Sequence, residues 1–98
     1  MASNITAVIG KKTQKLETIP NLDKFDKIIV DLGTGDGRFV YENANKFPQF
    51  YFIGVDTLAT TMEEFSGKAS RNRISNALFV LGNAESFLPG INYIVDDV

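Results

Sequence analysis

The 98-residue chain contains neither cysteine nor histidine. Without cysteine there is no disulfide and no thiolate metal centre. Without histidine the usual general base and the usual zinc or iron ligand are both missing. Its chemistry therefore cannot need an imidazole that titrates near neutral pH, and no metal site is expected. The three prolines (Pro20, Pro48 and Pro89) act as punctuation, each closing a segment. No apolar run is long enough to span a bilayer, and the N-terminus lacks the apolar core of a signal peptide, so the expected location is the cytoplasm. Positive charge is not in excess: the net charge is −2 and the pI near 5.0. That balance argues against strong nucleic-acid binding by the isolated chain, while leaving room for a local basic patch. What is present is the composition of one small globular domain, 44% hydrophobic and 22% charged.

Along the chain, Ile5 to Ile19 alternates apolar and polar residues around Gly10-Lys11-Lys12, which predicts a hairpin, or an arm, over residues 1–20. Residues 21–98 read as an α/β unit. Leu22 to Phe25 suits one helical turn. Ile28-Ile29-Val30 is the β-branched run of a strand buried on both faces. From Arg38 to Phe47 a helix is expected, with Val40, Ala44 and Phe47 facing a sheet. Tyr51 to Val55 forms a second strand ending at Asp56. A second helix follows, with Leu58, Met62, Phe65 and Ala69 on its apolar face and Thr57 or Thr60 as its cap. Lys68 to Arg73 reads as a basic connection to a third strand, Ala77 to Leu81. Gly82-Asn83-Ala84-Glu85 is the exit loop, and Tyr93 to Asp96 would begin a fourth strand. This β-α-β-α-β-turn-β order predicts the N-terminal half of a doubly wound, Rossmann-like parallel sheet of about four strands.

Three polar loops fall at the carboxyl ends of those strands, where such sheets bind ligands. The first, Asp31-Leu32-Gly33-Thr34-Gly35-Asp36-Gly37, lies between a strand and a helix, the setting of a nucleotide-type site. Its glycines run G-x-G-x-G, not the G-x-G-x-x-G of dinucleotide binding, and taken alone they also describe a plain strand-to-helix turn. Two carboxylates flank them. A helix N-terminus ordinarily attracts anionic phosphate, so this loop better suits a ligand with a cationic end. S-adenosylmethionine has an ammonium and a sulfonium and no phosphate. Asp31 can bind that ammonium or simply close its strand, and Asp36 reads more readily as a helix cap than as a ligand. Asp56, about twenty residues beyond the loop, can accept both ribose hydroxyls of an adenosine, or begin a turn. Asn83, Ala84 and Glu85 could read the adenine edge. Lys11, Lys12 and Lys15, with Lys68, Arg71 and Arg73, form two basic clusters that are either solvated faces or phosphate contacts. The tyrosines and phenylalanines sit at core-like spacing, and none is read as a base-stacking platform.

With these motifs in view, the chain resembles class I S-adenosylmethionine-dependent methyltransferases. More narrowly it resembles the 16S ribosomal RNA adenine-N1 methyltransferases of aminoglycoside resistance. Gly10-Lys11-Lys12-Thr13, Phe25-Asp26-Lys27, Asp31 to Arg38, Tyr51 to Asp56, Leu78-Phe79-Val80 and Ala84-Glu85-Ser86 carry the likeness. The resemblance implies that Asp31, Gly33, Thr34, Gly35, Gly37 and Arg38 surround the methionine portion of the cofactor. It places Asp56 and Thr57 at the ribose, and Asn83, Ala84 and Glu85 at the adenine. It also implies 16S rRNA in the 30S subunit as partner, and a flipped adenine whose ring nitrogen attacks the methyl carbon in line with the sulfonium. Two departures stand out. The family stacks its target on tryptophan, and this chain has none; it has Asp56-Thr57 where the family has Asp-Pro. Because the sequence stops at Val98, near the start of the expected fourth strand, the donor half is expected to be present and the acceptor half not, with no catalysis by the chain alone. The alternatives are a non-catalytic nucleoside-binding module that self-associates through an open sheet edge, and a nicotinamide-dinucleotide enzyme fragment, which the glycine spacing disfavours.

Overall fold

The computed structural model describes residues 5–17 and 22–82. They form strands β1 (Ile5–Ile9), β2 (Lys12–Leu16) and β3 (Lys27–Leu32), helix α1 (Arg38–Lys46), strand β4 (Phe50–Asp56), a 3-10 turn (Thr60–Met62), helix α2 (Glu63–Arg71) and strand β5 (Ala77–Leu81). All five strands make one sheet in the order β2-β1-β5-β4-β3. The predicted fourth parallel strand from Tyr93, and the exit-loop residues Asn83, Ala84 and Glu85, lie outside the described residues.

β3, β4 and β5 are parallel neighbours in sequence order. Two same-handed crossovers that step in one direction place both helices on one face, and α1 and α2 do share a face. Their side chains Val40, Ala44, Phe65 and Ala69 pack with Met62, Val8, Phe52 and Phe79. The opposite face gathers Ile5, Ile28, Val30, Tyr51, Ile53, Val55 and Val80, with Leu22 against them. β4 shows why the β-branched and aromatic runs read as buried strands. Tyr51, Ile53 and Val55 point to one core and Phe52 to the other, the period of two that a pleat imposes.

The hairpin joins the sheet directly, because Thr6 and Ala7 of β1 pair antiparallel with Leu81 and Val80 of β5. The sheet is therefore mixed. Gly10, at φ +62, takes the first central position of the two-residue turn, a conformation glycine adopts at little cost. Ser66 and Gly67 leave a notch on α2 into which this turn fits, with the Ser66 hydroxyl accepting the Gly10 N–H at 2.8 Å.

Some local expectations need correction. Phe47 follows α1 and is 39% exposed, stacked on Phe50 and outside the core, since the chain leaves helical geometry there before Pro48. Leu58 is 58% exposed, because the segment after Asp56 is a loop and a 3-10 turn before α2 begins at Glu63. Neither Thr57 nor Thr60 caps α2. Its N-cap is Met62, with no side-chain cap bond, and Glu63 and Glu64 complement the helix dipole in its place. Lys68 and Arg71 belong to the last turn of α2, so the connection to β5 is shorter than expected. Leu22 to Phe25 makes the single turn expected of it, closed by Phe25 N–H to Leu22 carbonyl at 3.1 Å. Among the described residues no helix is long and apolar enough to cross a membrane.

Candidate functional site

β3 and β4 end side by side, with Asp31 opposite Gly54 and Leu32 opposite Val55. The glycine loop then turns back over the end of β4. Gly33 and Thr34 N–H groups both donate to the Val55 carbonyl, at 2.8 and 3.0 Å, and Gly37 N–H donates to the Thr34 carbonyl at 3.1 Å. Gly33, Gly35 and Gly37 have φ of +75, +66 and +84, so each requires the left-handed region that only glycine enters cheaply. Gly37 is needed for space as well, since a Cβ there would stand 2.5 Å from the ring of Phe79.

Close approach also explains Gly54, a glycine inside a strand of bulky residues. A Cβ at that position would lie 2.8 Å from Thr34 Oγ1 and 2.9 Å from Val40 Cγ2. Thr34 is buried against it and donates its hydroxyl to Asp31 Oδ2 at 2.8 Å. Thr34 thus orients Asp31 instead of offering its own hydroxyl to a ligand. A carboxylate has roughly four acceptor positions, of which this bond takes one.

Asp56, at the end of β4, bridges the two loops. Its Oδ2 accepts the Gly35 N–H at 2.8 Å, and its Oδ1 accepts the Thr57 N–H at 2.7 Å, with the Thr57 hydroxyl at 3.4 Å. Its carbonyl accepts the Gly82 N–H at 2.8 Å, which ties the exit of β5 to the same corner. Asp36 is not the N-cap of α1 that its sequence position suggests, and no side chain makes a cap bond there. The boundary residue is Gly37, and Asp36 Oδ1 accepts the Arg38 N–H from one residue further out, at 2.9 Å. Arg38 itself lies over the ring of Phe65 at 5.1 Å, with an exposed 3.9 Å contact to Asp36. Asp31, Gly33, Thr34, Gly35, Gly37, Asp56 and Thr57 are therefore gathered at one corner of the sheet, while the Arg38 guanidinium is turned toward α2.

Most of the loop's donors are engaged internally: the N–H groups of Gly33, Thr34, Gly35, Gly37 and Arg38 have protein acceptors. A phosphate would need such groups unpaired and pointing at it. The loop instead presents carboxylates at either end, which suits a phosphate-free ligand with positive charge. Two residues of this corner were not identified from sequence. Gly54 carries a signal, being a lone glycine in a β-branched strand. Thr61, whose hydroxyl reaches the Gly35 carbonyl at 3.2 Å, carries none, because the contact spans 26 residues.

The parallel strands, the crossovers on one face and this corner define a Rossmann-like domain of the methyltransferase class. The family of NpmA, described as 16S rRNA (adenine(1408)-N(1))-methyltransferase, matches residues 6–98, and the chain belongs to it. The 16S rRNA (adenine(1408)-N(1))-methyltransferase of Escherichia coli is 33% identical over an alignment of 96 residues that covers 91% of this chain and 44% of that protein. The Streptoalloteichus hindustanus protein of the same description is 31% identical over 89 residues, covering 84% of this chain and 41% of its own. Among solved structures, a mutant of the Catenulisporales acidiphilia 16S rRNA (adenine(1408)-N(1))-methyltransferase with cosubstrate SAM superposes with a TM-score of 0.80. It is 26% identical, with 96% of this chain and 49% of that one covered. The chain spans less than half the length of the curated relatives it matches.

Proposed function

We propose that the chain carries the S-adenosylmethionine-binding region of a methyltransferase acting on adenine N1 of 16S rRNA. The observation that carries this reading is the pairing of Asp56 with a glycine loop whose Gly33, Thr34, Gly35 and Gly37 N–H groups are already bonded and whose flanks are carboxylates. Asp31, oriented by Thr34, would hold the ammonium of the methionine portion. Asp56 would take the ribose hydroxyls, with Thr57 beside it, and Asn83, Ala84 and Glu85 would serve the adenine. The cosubstrate supplies an electrophilic methyl carbon on a sulfonium. The residues named here hold and orient the donor, and the assignment requires no proton transfer by a side chain. The rRNA target is supported by family membership and by two basic segments that the fold brings near each other, Lys11 on the hairpin turn and Arg71 on α2. Lys12, Lys15, Lys68 and Arg73 extend this set; such a reaction belongs in the cytoplasm, where ribosomes are methylated.

Titration calorimetry with S-adenosylhomocysteine, S-adenosylmethionine and NAD tests the cofactor. The first two are expected to bind and NAD is not. Asp56→Ala should weaken binding by at least about tenfold, since a hydrogen bond to a charged acceptor contributes about 1.5–3 kcal/mol. Equal binding by the variant, or preference for NAD, would sink the assignment.

A further inference from the structure

Gly35 is held on one side by the last residue of β4 and on the other by the segment that follows it. Its N–H donates to Asp56 Oδ2 at 2.8 Å, and its carbonyl accepts the Thr61 hydroxyl at 3.2 Å. Thr61 lies in the 3-10 turn, and its hydroxyl is also 2.9 Å from the Leu58 carbonyl, so one proton is shared between two acceptors. A Cβ on Gly35 would meet nothing within 4 Å. Among the described residues nothing packs where a side chain of residue 35 would stand. The two hydrogen bonds, one to each side of the residue, hold it against the acidic corner.

The two clamps differ in what else they do. A carboxylate has roughly four acceptor positions. Gly35 takes one position on Oδ2 and the Thr57 N–H one on Oδ1, with the Thr57 hydroxyl a longer 3.4 Å from Oδ1, so these bonds do not saturate the carboxylate and it can still receive a ribose hydroxyl. Asp56 is thus both clamp and receptor, and replacing it confounds the two roles. Thr61 reaches the loop through the Gly35 carbonyl and its own segment through the Leu58 carbonyl.

We propose that Thr61 is a positioning residue. Through the Gly35 carbonyl it fixes the glycine loop relative to Asp56, so that the amino-acid end of the cosubstrate meets a loop already in place. This inference rests on the S-adenosylmethionine reading above. It assigns Thr61 an effect on the amino-acid end of the ligand and none on the ribose end.

Thr61→Val removes the hydroxyl at nearly constant shape, and Thr61→Ser retains it. Each form of the full 98-residue chain is titrated with S-adenosylhomocysteine and with 5′-methylthioadenosine, which keeps ribose and base but lacks the amino-acid end. Thr61→Val is expected to weaken S-adenosylhomocysteine by about three- to tenfold, the range of one neutral hydrogen bond. Methylthioadenosine binding should stay within about twofold, and Thr61→Ser should restore the first ligand. In the ligand-free protein, hydrogen exchange at the Gly35 amide should quicken in Thr61→Val while β4 amides keep their protection. Equal losses for both ligands, no loss, unchanged Gly35 exchange or no rescue by serine each overturn the proposal. If the parent chain binds S-adenosylhomocysteine and Thr61→Val binds it as well, only this inference falls. If the parent binds neither ligand, the cofactor reading falls and takes this one with it.

Discussion

Asp56, Thr34 and Tyr51 show how much single side chains do in so small a sheet. Asp56 joins the ends of three strands, through Gly35, its own carbonyl and Thr57. Thr34 holds Asp31, and it can do so only because residue 54 lacks a side chain. Burial pushes the Tyr51 phenol up from 10.0 to about 12, because the apolar core disfavours the phenolate. The folded value lies above the unfolded one. The contribution is therefore complete below about pH 10 and lost as pH rises toward 12. Urea midpoints should fall across that window more steeply for the parent than for Tyr51→Phe. Parallel curves for the two proteins would contradict this. At this scale the acidic residues and glycines were legible in the sequence, since their chemistry is intrinsic. The Thr34 hydroxyl's partner and the Thr61 contact were not, because they depend on which backbone groups the fold leaves within reach.

Elements are bounded by devices that periodicity alone locates only approximately. α2 ends in a Schellman motif: Ile74 N–H bonds the Ala69 carbonyl at 2.9 Å and Arg73 N–H the Ser70 carbonyl at 3.2 Å. Ile74 and Ala69 belong to the same core. The left-handed position, with φ 55, is filled by Arg73 where glycine is the usual occupant. An L-residue pays roughly 1–2 kcal/mol there. Arg73→Gly should therefore stabilise the domain by about 1 kcal/mol, read as a rise in thermal midpoint, and a fall would show that the arginine side chain contributes more than the strain costs. If Arg73 contacts phosphate, the same substitution weakens RNA binding. Stability and function then pull in opposite directions at that residue. Just downstream, the amide nitrogen of the buried Asn76 lies 2.9, 3.1 and 2.9 Å from the carbonyls of Ala44, Phe47 and Phe50, its two protons shared among the three acceptors. It staples the end of α1 and the start of β4 to the start of β5. An asparagine in a polar connection looks like any turn residue, so its role appears only once three distant carbonyls converge on it. The misplacement of Phe47 and Leu58 has the same origin. Spacing suggests a helical face but says nothing about where the helix begins or ends.

The described residues form a five-stranded mixed sheet with both helices on one face and the candidate site at the corner where β3 and β4 end. β2 forms one edge, and its exposed Lys12, Thr13, Gln14 and Lys15 present the charged, polar surface that discourages edge pairing. Docking the hairpin turn in the Ser66-Gly67 notch places Lys11 in one surface hollow with Arg71, despite the 60 positions between them. Glu63 and Glu64 line the same hollow, and Glu64 pairs with Lys68 at 3.7 Å. This cation pair is therefore set among acidic groups, in keeping with the chain's net negative charge. If Lys11 and Arg71 both meet phosphate, binding to 30S subunits should weaken with salt. The double variant Lys11→Ala, Arg71→Ala should lower the slope of log K against log salt by roughly 1.4–1.8, about 0.7–0.9 per phosphate contact. An unchanged slope removes these two residues from the interface.

The sequence by itself determined the α/β order, the three parallel strands, the hairpin and the identity of the acidic and glycine residues at the strand ends. Periodicity, β-branching and turn chemistry are local properties, written in neighbouring residues. Tertiary structure decided that β1 pairs with β5, that Asp56 closes on Gly35, that Thr61 reaches the glycine loop and that Lys11 stands near Arg71. Each is a contact across roughly 20 to 75 positions, and no local preference encodes the distance between residues that only the packed sheet brings together.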